Sequence, residues 1–174
     1  LYDHTDLIEV LGANSTGVTN MSNMFHYCTS LTTVPLFDTS KVTKMTSMLH
    51  DCRSLTTVPL FDTSNATEMN GTFYGCYSLT TVPLFDTSNA TDISSMLYDC
   101  GSLTTVPLFD TSNVTNMRGI FCGCRSLTTV PLFNTSNVTD MQYMLYNCIN
   151  VESGALALYQ QASTQTNPPT DPFC

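Results

Sequence analysis

Cysteines, aspartates and tyrosines are the side chains of this 174-residue chain that repeat at fixed spacing and could do chemistry. Cys28, Cys52, Cys76, Cys100, Cys124 and Cys148 each stand 24 residues after the last. Such thiols could form disulfides, hold a metal or line a core. Stacked in parallel about 5 Å apart at Cα, they meet the distance for a disulfide but not the Cβ geometry. One cysteine per repeat does not bring ligands together as a metal requires. A buried ladder of reduced thiols is expected, because free cysteine behaves as a small apolar group. Cys122 is off this ladder. It is either an exposed free thiol, which is favoured, or a partner for Cys174.

Asp38, Asp62, Asp86 and Asp110 form a second row, with Asn134 in the fifth place. In the sequence Asp-Thr-Ser, the carboxylate can accept hydrogen bonds from groups two residues on, which is turn chemistry. The same row is a possible cation ladder. Carboxylates about 5 Å apart repel by ~1 kcal/mol in water, and a Ca²⁺ ion with hard oxygen ligands would relieve that. The chain has three histidines, His4, His26 and His50. His26 and His50 are expected to be neighbours beside Asp51. Nothing joins them to a nucleophile and an oxyanion site, so catalysis is not expected. No cofactor is expected apart from the possible Ca²⁺.

The elements that position these rows follow from the repeat. SLTTVPLF occurs five times, at 30–37, 54–61, 78–85, 102–109 and 126–133. A fixed period of this length signals a solenoid. With cysteine as position 0, Leu, Val and Leu fall at 3, 6 and 8, close to the strand signature of leucine-rich repeats. Apolar residues at 17, 20, 21 and 24 have the spacing of one helix face. Thr at 15 (Thr43, Thr67, Thr91, Thr115, Thr139) is placed as an N-cap. The expected unit is a strand at 3–8, a turn at 9–14 and a short helix at 15–23. Threonines at 4 and 5 and proline at 7 would face solvent. Residues 4–27 fit the frame with His4 in the cysteine place, giving six units over 4–147.

The expected fold is therefore an α/β solenoid, a leucine-rich-repeat-like stack of about six 24-residue units, with short parallel strands on one face and short helices on the other. Residues 1–27 are read as a degenerate first repeat and N-terminal cap, 28–147 as five repeats, and 148–174 as a C-terminal cap. That cap carries a helix at 153–162 and a Pro-rich end. Phe173 and Cys174 would fill core places of a seventh turn. The chain begins at Leu1 and reads as a processed or excised piece of a longer protein.

Lys and Arg number 5 against 14 Asp and Glu, a net charge of -9. This excludes the basic surface of a usual nucleic-acid binder and disfavours anionic lipid. No apolar run approaches the ~18 residues of a membrane span. Between the constant positions, 1, 16 and 22 vary. Position 22 reads His26, His50, Tyr74, Tyr98, Cys122, Tyr146. Tyrosine offers rigid area and a polar tip. Tyr74, Tyr98 and Tyr146, with Tyr77 and Tyr143, are the candidate ligand-binding residues.

The run FDTSNVTNM at 109–117, followed by F/L-x-x-C-x-S-L-T, resembles the BspA-like leucine-rich repeats of bacterial, protist and phage-tail surface proteins. Residues 153–163, SGALALYQQAS, resemble the region that follows such repeats in gut bacterial and phage sequences. The resemblance implies an extracellular module, on a cell surface or virion, that adheres to or recognises a cell-surface protein or polysaccharide. Many relatives have units longer by one or two residues. The alternative is a structural spacer or a self-associating fibre element, since near-identical repeats can stack open-ended.

Overall fold

The computed structural model describes residues 2–12 and 14–163. The chain winds as a solenoid with a 24-residue step. Parallel bridges at position 16 join Asn20, Lys44, Glu68, Asp92, Asn116 and Asp140 in succession. Position 15 sits beside this ladder. Thr67, Thr91, Thr115 and Thr139 each donate their N–H to the carbonyl of the threonine 24 residues before, and their hydroxyls donate to the same carbonyl. The N-cap expected there has no helix to cap.

The helix expected at 15–23 is replaced by three overlapping turns, each closed by a bond three residues back. Met48, His50 and Cys52 donate to Met45, Ser47 and Leu49, three residues back. The alternating residues Ser47, Leu49 and Asp51 donate instead to Asn70, Thr72 and Tyr74 of the next rung, at 3.0, 2.8 and 2.6 Å. Each rung is thus bonded to its neighbour where a helix would bond only to itself. The cause lies at positions 19 and 23, which adopt left-handed φ: Ser47 +53°, Asp51 +57°, Ser95 +52°, Asp99 +53°. A left-handed residue stops a helical turn. Glycine, serine, aspartate or asparagine fills most of these places.

The strand expected at 3–8 also does not form. In that stretch the described residues make only the bridges Glu9↔Thr33 and Thr129↔Ser153. The chain steps by three: Leu79, Val82 and Phe85 are all buried. Proline at 7 has no N–H to give a ladder, and Phe85 N–H donates back to Pro83 O at 3.0 Å. That tight turn over Pro-Leu-Phe swings the phenylalanine inward and the leucine outward. Phe61 is 1% exposed and Leu60 59%. Leucine at position 8, a core place in the leucine-rich-repeat signature, is therefore a surface row of Leu36, Leu60, Leu84, Leu108 and Leu132.

One core runs the length of the stack. Phenylalanines form a column, with Phe61 and Phe85 rings 6.4 Å apart and Phe85 against Phe73 at 5.6 Å. The thiols form another. Cys52, Cys76, Cys100 and Cys124 are fully buried, and each Sγ donates to the carbonyl 27 residues before, at 3.1–3.2 Å. No disulfide joins the described cysteines. Burial raises the thiol pKa throughout the ladder, and Cys148 is pushed up to about 12.

Met21 and Phe25 enter the core, and Leu7, Val10, Val18 and Met24 pack against its end. At the other end helix α1 (Ala155–Ser163) places Leu158 in the core. The helix was expected at 153–162, within two residues of its observed start. The Pro-rich end, Phe173 and Cys174 lie outside the described residues, as does any Cys122–Cys174 pair. No helix among the described residues is long and apolar enough to cross a membrane.

Candidate functional site

The turn at positions 10–13 explains the aspartate row. Asp62 Oδ1 accepts from the Ser64 N–H at 3.1 Å and the Ser64 hydroxyl at 2.6 Å. Asp38, Asp86 and Asp110 accept the same N–H, and Asn134 Oδ1 accepts from Ser136. The serine hydroxyl, then its N–H, holds Asp38 and Asp86 below the usual carboxylate range; for Asp110 the N–H leads. The threonine between is buried. Thr63, Thr87 and Thr111 donate to the position-10 carbonyl of the next rung at 2.7–2.8 Å. Among the described residues no group of three or more His, Cys, Asp and Glu converges as a metal centre.

Position 22 builds a different feature. Because position 23 is left-handed in every rung, the side chain before it is thrown to the same edge. There the rings stack. Tyr2 lies on His26 at 4.9 Å, His26 against His50 at 4.5 Å, His50 on Tyr74 at 4.3 Å and Tyr74 on Tyr98 at 4.5 Å. Three of these pairs are parallel within 4°. Tyr2 was not singled out from sequence, although counting two residues back from His4 would have found it. His26 and His50 are neighbours, as expected, and His50 Nδ1 lies 3.2 Å from Asp51 Oδ2. They serve as rings in the column.

Burial, with His26 alongside, holds His50 below its ordinary pKa, against the pull of Asp51. His50 faces Tyr27 and Tyr74 besides these two groups. The unfolded chain therefore takes up this proton first, at its ordinary pKa of 6.5. Stability contributed by neutral His50 is complete above that pH and declines as pH falls from 6.5 toward the folded pKa. Urea midpoints measured from pH 7.5 to 5.5 should fall, and His50→Tyr should flatten that slope. An unchanged slope in the variant would contradict the assignment.

Asp51 and Asp99 at position 23 fold over glycine in the next rung. A Cβ at Gly75 would meet Asp51 Oδ1 at 2.7 Å, and one at Gly123 would collide with the Asp99 carboxylate. Gly123 also has φ +75°. Gly123→Ala is expected to destabilise by about 1–3 kcal/mol, read as a lower urea midpoint. Asp99→Ala in that background should restore part of the loss. No restoration would mean the carboxylate is not the obstacle.

Cys122 stands in the column where other rungs carry a ring. It is 4% exposed, which corrects the expectation of an exposed thiol. Burial raises its pKa, opposed by its hydrogen bond with Tyr98. Beside it is a hollow of about 450 Å³. Tyr98, Tyr143, Tyr146 and Arg118 line it. Arg118 lies over the Tyr143 ring at 4.9 Å, and Tyr143 meets Tyr146 edge-on at 6.1 Å. Of the five candidate tyrosines the structure gathers three here, with Tyr74 stacked behind Tyr98. Tyr77 is apart, 5.5 Å from the Arg53 guanidinium and facing a separate hollow with Asp99 and Arg125. The threonine hydroxyls of position 4 are taken up between rungs where Thr80 and Thr128 donate to Thr56 and Thr104 carbonyls.

A family model described as "Mycoplasma protein of unknown function, DUF285" matches residues 6–106 and 103–166. Among solved structures, a leucine-rich repeat protein of T. pallidum superposes with a TM-score of 0.63 at 23% identity, over 83% of this chain and 67% of that one. A leucine-rich repeat protein of Bacteroides ovatus matches at TM-score 0.43 and 17% identity, over 80% and 46%. The first superposition shows a leucine-rich-repeat fold. No curated protein matches the sequence.

Proposed function

Because the chain belongs to the DUF285 family, a group of BspA-like leucine-rich repeats, we propose that it is a recognition module displayed outside the cell, on a bacterial surface or a phage tail. Its partner would be a cell-surface protein or polysaccharide. The observation that carries this reading is the ring column at one edge, ending in the hollow lined by Tyr98, Tyr143 and Tyr146. Tyrosine faces and tips suit recognition. The chemistry of the remaining rows is absorbed by turns and rung-to-rung bonds, which favours binding over catalysis. Residues 28–147 would be the repeat body, with 1–27 and 148–174 closing its ends.

The test is to stain a panel of gut bacteria and epithelial cells with the fluorescent chain. Ca²⁺ is varied, since the carboxylates of Asp38, Asp62, Asp86 and Asp110 form one row. Selective, saturable staining is expected. None at micromolar protein would overturn the reading.

A second reading has its own observation. The leucine row is 56–68% exposed over five rungs, and an apolar stripe of that kind marks association surfaces. It would serve a structural fibre or spacer through self-association. Mass that rises with concentration in sedimentation, and no longer does so in Leu84→Ser/Leu108→Ser, would support it.

A further inference from the structure

We propose that the hollow at Cys122 receives a planar aromatic ring carrying a polar edge group, which completes the edge column between Tyr98 and Tyr146. This rests on the edge being the recognition surface and names what the edge takes.

Three observations carry it. First, the site is a place where the repeat itself puts a ring. Tyr2, His26, His50, Tyr74, Tyr98 and Tyr146 occupy position 22 in the other rungs, and consecutive rings from Tyr2 to Tyr98 lie in contact at 4.3–4.9 Å. With rungs about 4.8 Å apart, Tyr98 and Tyr146 are separated by two steps, which leaves the thickness of one ring between them. Second, this rung is small at both places that could fill the gap. Position 19 is Gly119 and position 22 is Cys122, whereas the flanking rungs pair Ser95 with Tyr98 and Tyr143 with Tyr146. Gly71 is also small, but Tyr74 fills its rung. The result is the hollow of about 450 Å³, within the range of small-molecule sites. Third, the rim is charged. Arg118, about half exposed, is positioned by Asp140 at 3.5 Å and by a hydrogen bond to Gln142. Its guanidinium has further N–H donors for an oxygen on the ring's edge.

A planar ring is favoured over a pyranose because the neighbouring rings are held parallel within 3° at Tyr74–Tyr98. Offset stacking on a face already presented needs no rearrangement.

The experiment titrates the chain with p-cresol and follows the ring-proton NMR signals of Tyr98 and Tyr146. Saturable upfield shifts of both are expected, with Kd in the millimolar range or tighter. Cys122→Tyr fills the gap and should weaken binding at least about tenfold, while Cys122→Ser keeps it. Tyr146→Ala removes an exposed ring without touching the core and should give a loss of similar size, which covers the case that Cys122→Tyr does not fold. Two further probes separate the sources of the ring. Tighter binding of 4-hydroxyphenylacetate, lost in Arg118→Gln, points to a free aromatic acid. Tighter binding of acetyl-Gly-Tyr-Gly-amide points to a protein side chain.

Shifts that do not saturate, or equal binding by Cys122→Tyr, overturn the proposal. So does methyl β-glucoside binding as tightly as p-cresol. The two readings fail separately. Cresol binding indifferent to Cys122→Tyr removes the slot even where cell staining depends on Tyr98. Absent cell staining removes the recognition role even where cresol binds.

Discussion

Phe85→Ala should destabilise the chain by about 3–5 kcal/mol, the range for emptying a buried aromatic site. Phe85 is 2% exposed and lies against both Phe61 and Phe73. It is also the residue that the Pro83–Phe85 turn drives inward. Leu84→Ala, one residue away, removes a side chain of similar apolar character but 60% exposed. Its cost should stay within about 0.5 kcal/mol, as for surface substitutions generally. Urea unfolding of the two variants side by side reads the inversion directly. A period-two strand through this stretch would reverse the order, with Leu84 costly and Phe85 mild.

The thiol ladder gives the second large effect. Cys76, Cys100 and Cys124 are fully buried, with thiols held in their protonated form by burial. A thiol reagent attacks the thiolate and needs access. In the native chain these positions should react at least about a thousand-fold more slowly than in denaturant, because reaction waits for opening of the stack. Cys148, half-buried at the end of the ladder, should react first. Mass spectrometry of labelled peptides, in a Cys174→Ser background, resolves the sites. Fast labelling of Cys100 in native buffer would mean the ladder is not a closed core. Reduction before denaturation should leave the yield of labelled thiols unchanged.

The step of 24 residues, the continuous core and the buried cysteines were legible because each repeats five or six times and a column of identical residues can hardly be accidental. The path of the chain within each repeat was not, although the helix after the last repeat was. Apolar residues at 17, 20, 21 and 24 reach one side either from a helix or from three overlapping turns, so periodicity alone does not separate them. The discriminating signal was the recurrence of Ser, Gly, Asp or Asn at positions 19 and 23, such as Ser47 and Asp51, where left-handed φ breaks a helix. Counting Leu, Val and Leu at 3, 6 and 8 predicts a strand. The pair Leu84–Phe85 shows why that count fails: the step is three, and Pro83 sets it. Tyr98, Tyr143 and Tyr146 were singled out by residue type. Their convergence depends on the small pair Gly119 and Cys122, which only the rung geometry brings together.

We place recognition of the partner at the variable edge rather than at the constant rows. The decisive comparison is the apparent affinity of three fluorescent proteins for one cell type that stains: the parent chain, Tyr98→Ala/Tyr146→Ala and Leu84→Ser/Leu108→Ser. The expected result is a loss of at least about tenfold, or ~1.4 kcal/mol, for the tyrosine variant, with the leucine variant close to the parent. Parent-like staining by the tyrosine variant, with loss in the leucine variant, would contradict the claim and move recognition to the leucine row.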